Sequence, residues 1–103
     1  MIEEFYERVY DLIKLIPFGR VTTYGEIARA TGKANAGRLV SFAIFHIEKF
    51  SRIPTHRIVS KTGRLSRKFL NGGIRGQKSR LEDEGIEVKN YKVDLQKYGF
   101  YFW

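Results

Sequence analysis

One short run of this sequence holds side chains in an arrangement suited to a reaction: Pro54, Thr55, His56 and Arg57, within "IPTHRIVSKTG". A Pro-x-His-Arg turn presents a single side chain, and here that side chain is a threonine hydroxyl. Thr55 is an unpromising nucleophile. An alcohol stays protonated near neutral pH and needs a well-placed base, and a β-branched carbon crowds in-line approach. The chain contains no cysteine, which excludes thiolate chemistry, disulfides and cysteine-ligated zinc. Its two histidines, His46 and His56, are isolated and too few for a metal site, so neither metal nor cofactor is expected.

Charge points to a partner. The formal net charge of +8 is concentrated in the middle of the chain: between Ile27 and Leu81 the only acid is Glu48, against thirteen lysines and arginines. Acids gather instead in the first segment and in "LEDEGIEV". A basic centre between acidic ends suits a polyanion bound by one face. Aromatic residues make up 15% of the chain, enough to expect a folded core rather than a charged tail. With 103 residues and no linker or repeat, one domain spanning 1–103 is expected. No apolar run approaches the roughly 20 residues of a membrane span. The opening "MIEEFYERVYD" is acidic and amphipathic, unlike a signal peptide, so an intracellular protein without a membrane partner is expected.

The elements that must position these residues are mostly helical. Phe5, Val9, Leu12, Ile13 and Ile16 recur at helical spacing, and "PFG" ends that segment. Thr23 and Glu26 predict a capping box opening a second helix, with Gly32 as its left-handed stop. Asn35 is the expected cap of a third helix, whose apolar set is Leu39, Val40, Phe42, Ala43 and Ile47. Two helices joined by a tight turn make a helix-turn-helix. "HRIVSKTGRLSR" predicts a short hairpin with Gly63 at its turn, a basic wing beside the helix pair. "IRGQKSRLEDEG" predicts a fourth helix closed by Gly85, and the tail ends in aromatics from Phe100 to Trp103, either capping the core or exposed to a partner. The expected fold is therefore mainly α, a winged helix-turn-helix domain with a short β-hairpin wing.

If the third helix enters a groove, Ala36 and Gly37 are small enough for backbone to approach phosphate, and the helix N-terminus favours anions. Arg38 then contacts phosphate, reads a base edge, or fills the stack where a base has left. Tyr24 presses on backbone phosphate or packs as a ring.

"GRVTTYGEIA", "AGRLV", "PTHRIVSKTGRLS" and "LEDEG", in this order and spacing, resemble the DNA-binding domain of O6-alkylguanine-DNA alkyltransferases, from about Phe5 to Val88. The tail "IEVKNYKV" and its closing aromatics are similar to alkyltransferase-like proteins, which lack the reactive cysteine. The family run is Pro-Cys-His-Arg-Val; Thr55 stands at the cysteine, where those relatives carry tryptophan or alanine. In the enzymes the cysteine thiolate takes the alkyl group from guanine O6, helped by a histidine and a glutamate bridged by water. By position His56 and Glu84 are remnants of that relay. The resemblance therefore implies a protein that is not an enzyme, with no catalytic residue expected.

The resemblance further implies minor-groove binding, Arg38 filling the space of an extruded guanine, and Tyr24 rotating the 3′ phosphate. It implies DNA contacts from Thr22, Thr23, Tyr24, Lys33, Asn35, Ala36, Gly37, Arg38, Ser41, Arg57, Lys61, Arg64 and Arg67. Tyr24, Pro54, Thr55, Val59 and Ser60 are expected to bound the lesion pocket. The family asparagine that braces the active-site turn has no counterpart at Ile47, and Phe69 is expected to take over a tyrosine's packing role. The expected partner is double-stranded DNA containing O6-alkylguanine, bound by a monomer that signals to nucleotide excision repair proteins. Such a protein would be cytoplasmic and nucleoid-associated, or nuclear in a eukaryotic cell. The other function left open is a winged helix-turn-helix regulator without lesion specificity.

Overall fold

The computed structural model describes residues 2–48, 52–69 and 71–103, with the backbone alone at 2, 47 and 48. Helix α1 (Ile2–Lys14) lies across α2 (Tyr24–Ala30) and α3 (Gly37–Glu48), and contacts both. A 3-10 turn (Thr55–Arg57) leads into β2 (Ile58–Val59), and α4 (Gly73–Asp83) follows. A hairpin of β3 (Val88–Lys89) and β4 (Lys92–Val93) and a short α5 (Leu95–Tyr98) complete the chain. Among the described residues no helix is long and apolar enough to cross a membrane.

The apolar stripe of α1 is what seats the helix pair. Val9, Ile13 and Ile16 are fully buried with Ile27 and Ala28 of α2 and Val40, Ala43 and Ile44 of α3. Each of the Val and Ile side chains contributes about 1.5–3 kcal/mol of burial. Helix α2 starts as predicted: the Thr23 hydroxyl accepts from the Glu26 amide at 3.0 Å. The other half of the capping box does not form. The Glu26 carboxylate accepts instead from Arg29 at 2.7 Å and from the Phe102 amide at 2.8 Å, which ties the C-terminal tail to α2. The two glycine stops hold. Lys33 and Gly32 donate to Ala28 and Arg29, and Ile86 and Gly85 donate to Leu81 and Glu82, the paired bonds that close a helix in the Schellman motif.

Three expectations are corrected. Helix α3 begins at Gly37, with the Ala36 carbonyl accepting from Val40, so Asn35 stands one residue too early to be its cap. Its core face is Ala36, Val40, Ala43 and Ile44, while Leu39 and Phe42 are exposed; the Ile47 side chain lies outside the described residues. This helix is apolar nearly all round, so periodicity alone could not choose its buried side.

The third correction concerns the wing. The turn is present: Ser60 and Arg64 bond across it, and Gly63 sits at a positive φ of 87°. A Cβ on Gly63 would lie 2.2 Å from the Val93 carbonyl oxygen, so only glycine fits there. Its two limbs pair elsewhere, however. β2 runs parallel to β1 (Thr22–Thr23), whereas Arg64 and Leu65 bridge to Lys92 and Tyr91. The described hairpin is β3–β4. Ile58 and Val59 point to opposite faces of the strand, and so feed two separate cores. The tail divides in a similar way: Phe100 and Phe102 pack on the first core, while Tyr101 and Trp103 are exposed.

Candidate nucleic-acid interface

The helix pair and the segment after β2 enclose a cavity of about 410 Å³. Its walls are Tyr24 at the start of α2, Ser41, Phe42 and Phe45 on α3, and Ser66 and Lys68 opposite. Two exposed phenylalanines and a tyrosine around a space of this size suit a flat, stackable ring. Arg38 projects from the first turn of α3, exposed, with no side-chain hydrogen bond or ion pair among the described residues.

Behind this cavity the Thr55–Arg57 turn is held by two buried polar groups. Gln77 of α4, almost fully buried, donates to the carbonyls of His56 (3.1 Å) and Ile58 (2.9 Å) and accepts from the Ser66 amide at 2.7 Å. All of its amide's reach is used in fixing the backbone on either side of the turn. Glu84, at the end of α4, accepts from the Gly19 amide at 2.8 Å, from Arg57, and from His56 Nε2 at 2.6 Å. Arg57 also donates to the Ile16 carbonyl at 2.9 Å.

Burial pushes the His56 ring below its ordinary pKa, outweighing the opposing pull of Glu84. Burial acts on Glu84 in the other direction, but hydrogen bonds from Arg57, the Gly19 amide and His56 hold its carboxyl below the usual range. Near neutral pH this is a neutral imidazole donating Nε2–H to a carboxylate, which leaves Nδ1 as its one proton-accepting atom. Thr55 itself is buried in the turn. The arrangement orients the His56 base through Glu84, and the chain offers no thiolate for it to release.

The predicted residues divide into groups. Tyr24 and Ser41 line the cavity; Ser41 also donates to the Gly37 carbonyl. Arg38, Lys33, Asn35, Lys61, Arg64 and Arg67 are exposed, and a Cβ on Gly37 would face open space. Lys33 holds its ammonium 5.7 Å from the Phe5 ring. Thr23 uses its hydroxyl as the helix cap. Three of the expected DNA contacts sit inside the fold: Thr22 and Ala36 are buried, and Arg57 is 16% exposed and bound to Glu84.

Of the predicted pocket, Tyr24 alone lines this cavity. Val59 is corrected to a core residue, Ser60 braces the Gly63 turn by accepting from the Thr62 and Arg64 amides, and Pro54 lines a different cleft. Phe69 is buried, with the Arg80 guanidinium 5.7 Å from its ring. The sequence reading missed Gln77, Phe42, Phe45, Ser66 and Lys68. A signal existed for the phenylalanines, since Leu39, Phe42 and Phe45 form a second apolar stripe at three-residue spacing. Nothing local distinguishes Gln77 from any polar residue of a helix.

Residues 4–86 match the family of the 6-O-methylguanine DNA methyltransferase DNA-binding domain. Alkyltransferase-like protein 1 of Schizosaccharomyces pombe is 39% identical over 102 residues, covering 94% of each chain. The crystal structure of that organism's Atl1 with damaged DNA containing O6-carboxymethylguanine superposes with a TM-score of 0.87, over 95% of both chains at 39% identity. The DNA base-flipping protein of Escherichia coli is 35% identical over 97 residues, 93% of this chain and 74% of that one. A methylated-DNA–protein-cysteine methyltransferase of Mycobacterium tuberculosis is also 35% identical, over 92 residues, 89% of this chain and 53% of the enzyme.

Proposed function

Because this chain belongs to the family of the 6-O-methylguanine DNA methyltransferase DNA-binding domain, we propose that it is a non-enzymatic reader of alkylated DNA. It binds duplex DNA as a monomer, extrudes O6-alkylguanine into the cavity bounded by Tyr24, Phe42 and Phe45, and leaves the base chemically unchanged. The observation that carries this reading is Thr55, buried at the family's acceptor position in a turn still held by Gln77, His56 and Glu84. With threonine at the acceptor position and no thiol in the cavity lining, a lesion is held without being consumed. Extruding a base costs a few kcal/mol. Aromatic stacking in the cavity, at about 1–3 kcal/mol per base, and Arg38 inserted in the vacated space offset that cost.

A reader that does not repair needs a second pathway, and nucleotide excision repair is the one proposed here. Two relatives, a DNA base-flipping protein and an Atl1 bound to O6-carboxymethylguanine DNA, support the binding half of this reading. Competition between otherwise identical duplexes with and without O6-methylguanine tests it. Preference for the lesion duplex is expected; equal affinity sinks the proposal and leaves a plain groove binder. Protein mass after incubation with alkylated DNA is expected to be unchanged, and an added methyl mass would restore the enzyme reading.

A further inference from the structure

We infer that a second site lies behind the Thr55–Arg57 turn, a cationic cleft that takes an acidic, partly apolar segment of a partner protein. The cleft measures about 390 Å³. Lys14 from the end of α1, Arg52, Pro54, His56 and Arg57 from the turn, and Arg80 from α4 line it, and no acid does. The carboxylate behind it, Glu84, is 6% exposed and lies 2.9 Å from Arg57, so it neutralises one of the four fixed cations. Lys14 meets Asp11 only at 3.9 Å with both groups exposed, a pairing of little consequence. Arg80 rests near the Phe69 ring and keeps its charge. Arg52 is exposed with no ion pair among the described residues. Uncompensated cations around a concave wall focus a positive field.

The rim is apolar as well as basic. Ile53 and Pro54 line the cleft, and beside it Phe18 is 69% exposed with its ring 5.8 Å from the Arg57 guanidinium. Guanidinium groups bind carboxylates through paired hydrogen bonds, and the exposed Phe ring offers an anchor surface. A phosphate backbone uses the charge but not the apolar rim. The cleft also shares no lining residue with the cavity at Tyr24, and none of its residues comes from the α2–α3 turn or the Gly63 turn. The choice of a protein as occupant rests on the signalling half of the proposed function.

The full chain is titrated, free and saturated with duplex DNA, against a short labelled peptide alternating Asp or Glu with Leu. One control peptide replaces the acids by Asn and Gln, and a second replaces Leu by Ser. The acidic, apolar peptide is expected to bind best and to stay bound beside DNA. Arg52→Ala with Arg80→Ala is expected to weaken it about tenfold or more, with DNA affinity and its salt dependence unchanged. Phe18→Ser, a surface change, is expected to weaken the peptide alone. Equal binding of the three peptides, or none by the acidic one, overturns the inference even if the double variant misfolds. Displacement by duplex, or a smaller DNA salt slope in the double variant, makes the cleft a phosphate contact instead. Lesion preference is scored separately on paired duplexes, so its failure leaves the peptide result readable.

Discussion

Arg38 and Thr22 are both expected DNA contacts, and the fold exposes one and buries the other. Arg38 is exposed and without a side-chain partner among the described residues, so its truncation removes only what it does on DNA. Arg38→Ala is expected to weaken binding to an O6-methylguanine duplex by ~1–3 kcal/mol, the scale of one specific contact. A matching loss on undamaged duplex would make it a phosphate contact. Thr22 is buried in β1, and its hydroxyl has no hydrogen-bond partner among the described residues. A buried unsatisfied hydroxyl costs about 1–3 kcal/mol. Thr22→Val, which keeps the shape and favours a strand, is expected to raise the denaturation midpoint while DNA affinity stays constant. Gln77 is the opposite case. Gln77→Leu strands two carbonyls and an amide in the interior, and is expected to cost at least about 3 kcal/mol in denaturant unfolding.

At the scale of elements, the knot of His56, Arg57 and Glu84 joins the 3-10 turn to the end of α4, the Gly19 loop and the segment just after α1. Its acid sensitivity follows from two pKa directions. His56 titrates lower in the fold than its ordinary value near 6.5, so protons bind more readily to the unfolded chain. Stability is full above about 6.5 and falls as pH drops through and below that value. Glu84 is also held low, so its contribution is present above its ordinary value of 4.5 and is lost as pH falls from there through the folded value. Melting temperature is expected to decline in two stages on acidification. His56→Gln should abolish the stage beginning near 6.5 and keep the one below 4.5; a profile identical to the parent's would refute this assignment.

For the molecule as a whole, affinity and specificity separate by location. The exposed cations Lys61 and Arg64 ring the Gly63 turn, outside the aromatic cavity. Each is expected to release counterions from one phosphate, so Lys61→Ala and Arg64→Ala should each reduce the slope of log affinity against log salt by about one unit. Lesion preference should survive both changes, because the cavity walls are untouched. Its loss alongside the slope would mean that the turn and the cavity bind DNA as one surface.

Much of this was written locally. Glycine stops at Gly32 and Gly85, the Thr23 cap and the stripe of α1 are decided by neighbours within one helical turn, so the sequence alone determined them. The four spaced motifs likewise determined the family, and the absence of cysteine determined what Thr55 cannot do. Long-range pairing was a different matter. The partners of Ile58, Arg64 and Glu26 lie 36, 28 and 76 residues away, and no local pattern encodes a contact at such separation. Only the tertiary structure decided that α3 buries Val40 and exposes Phe42, that Gln77 braces the turn, and that Arg57 pairs with Glu84. The physical reason is common to all three: a polar group, or a helix apolar on every side, takes its role from whichever surface folding brings against it.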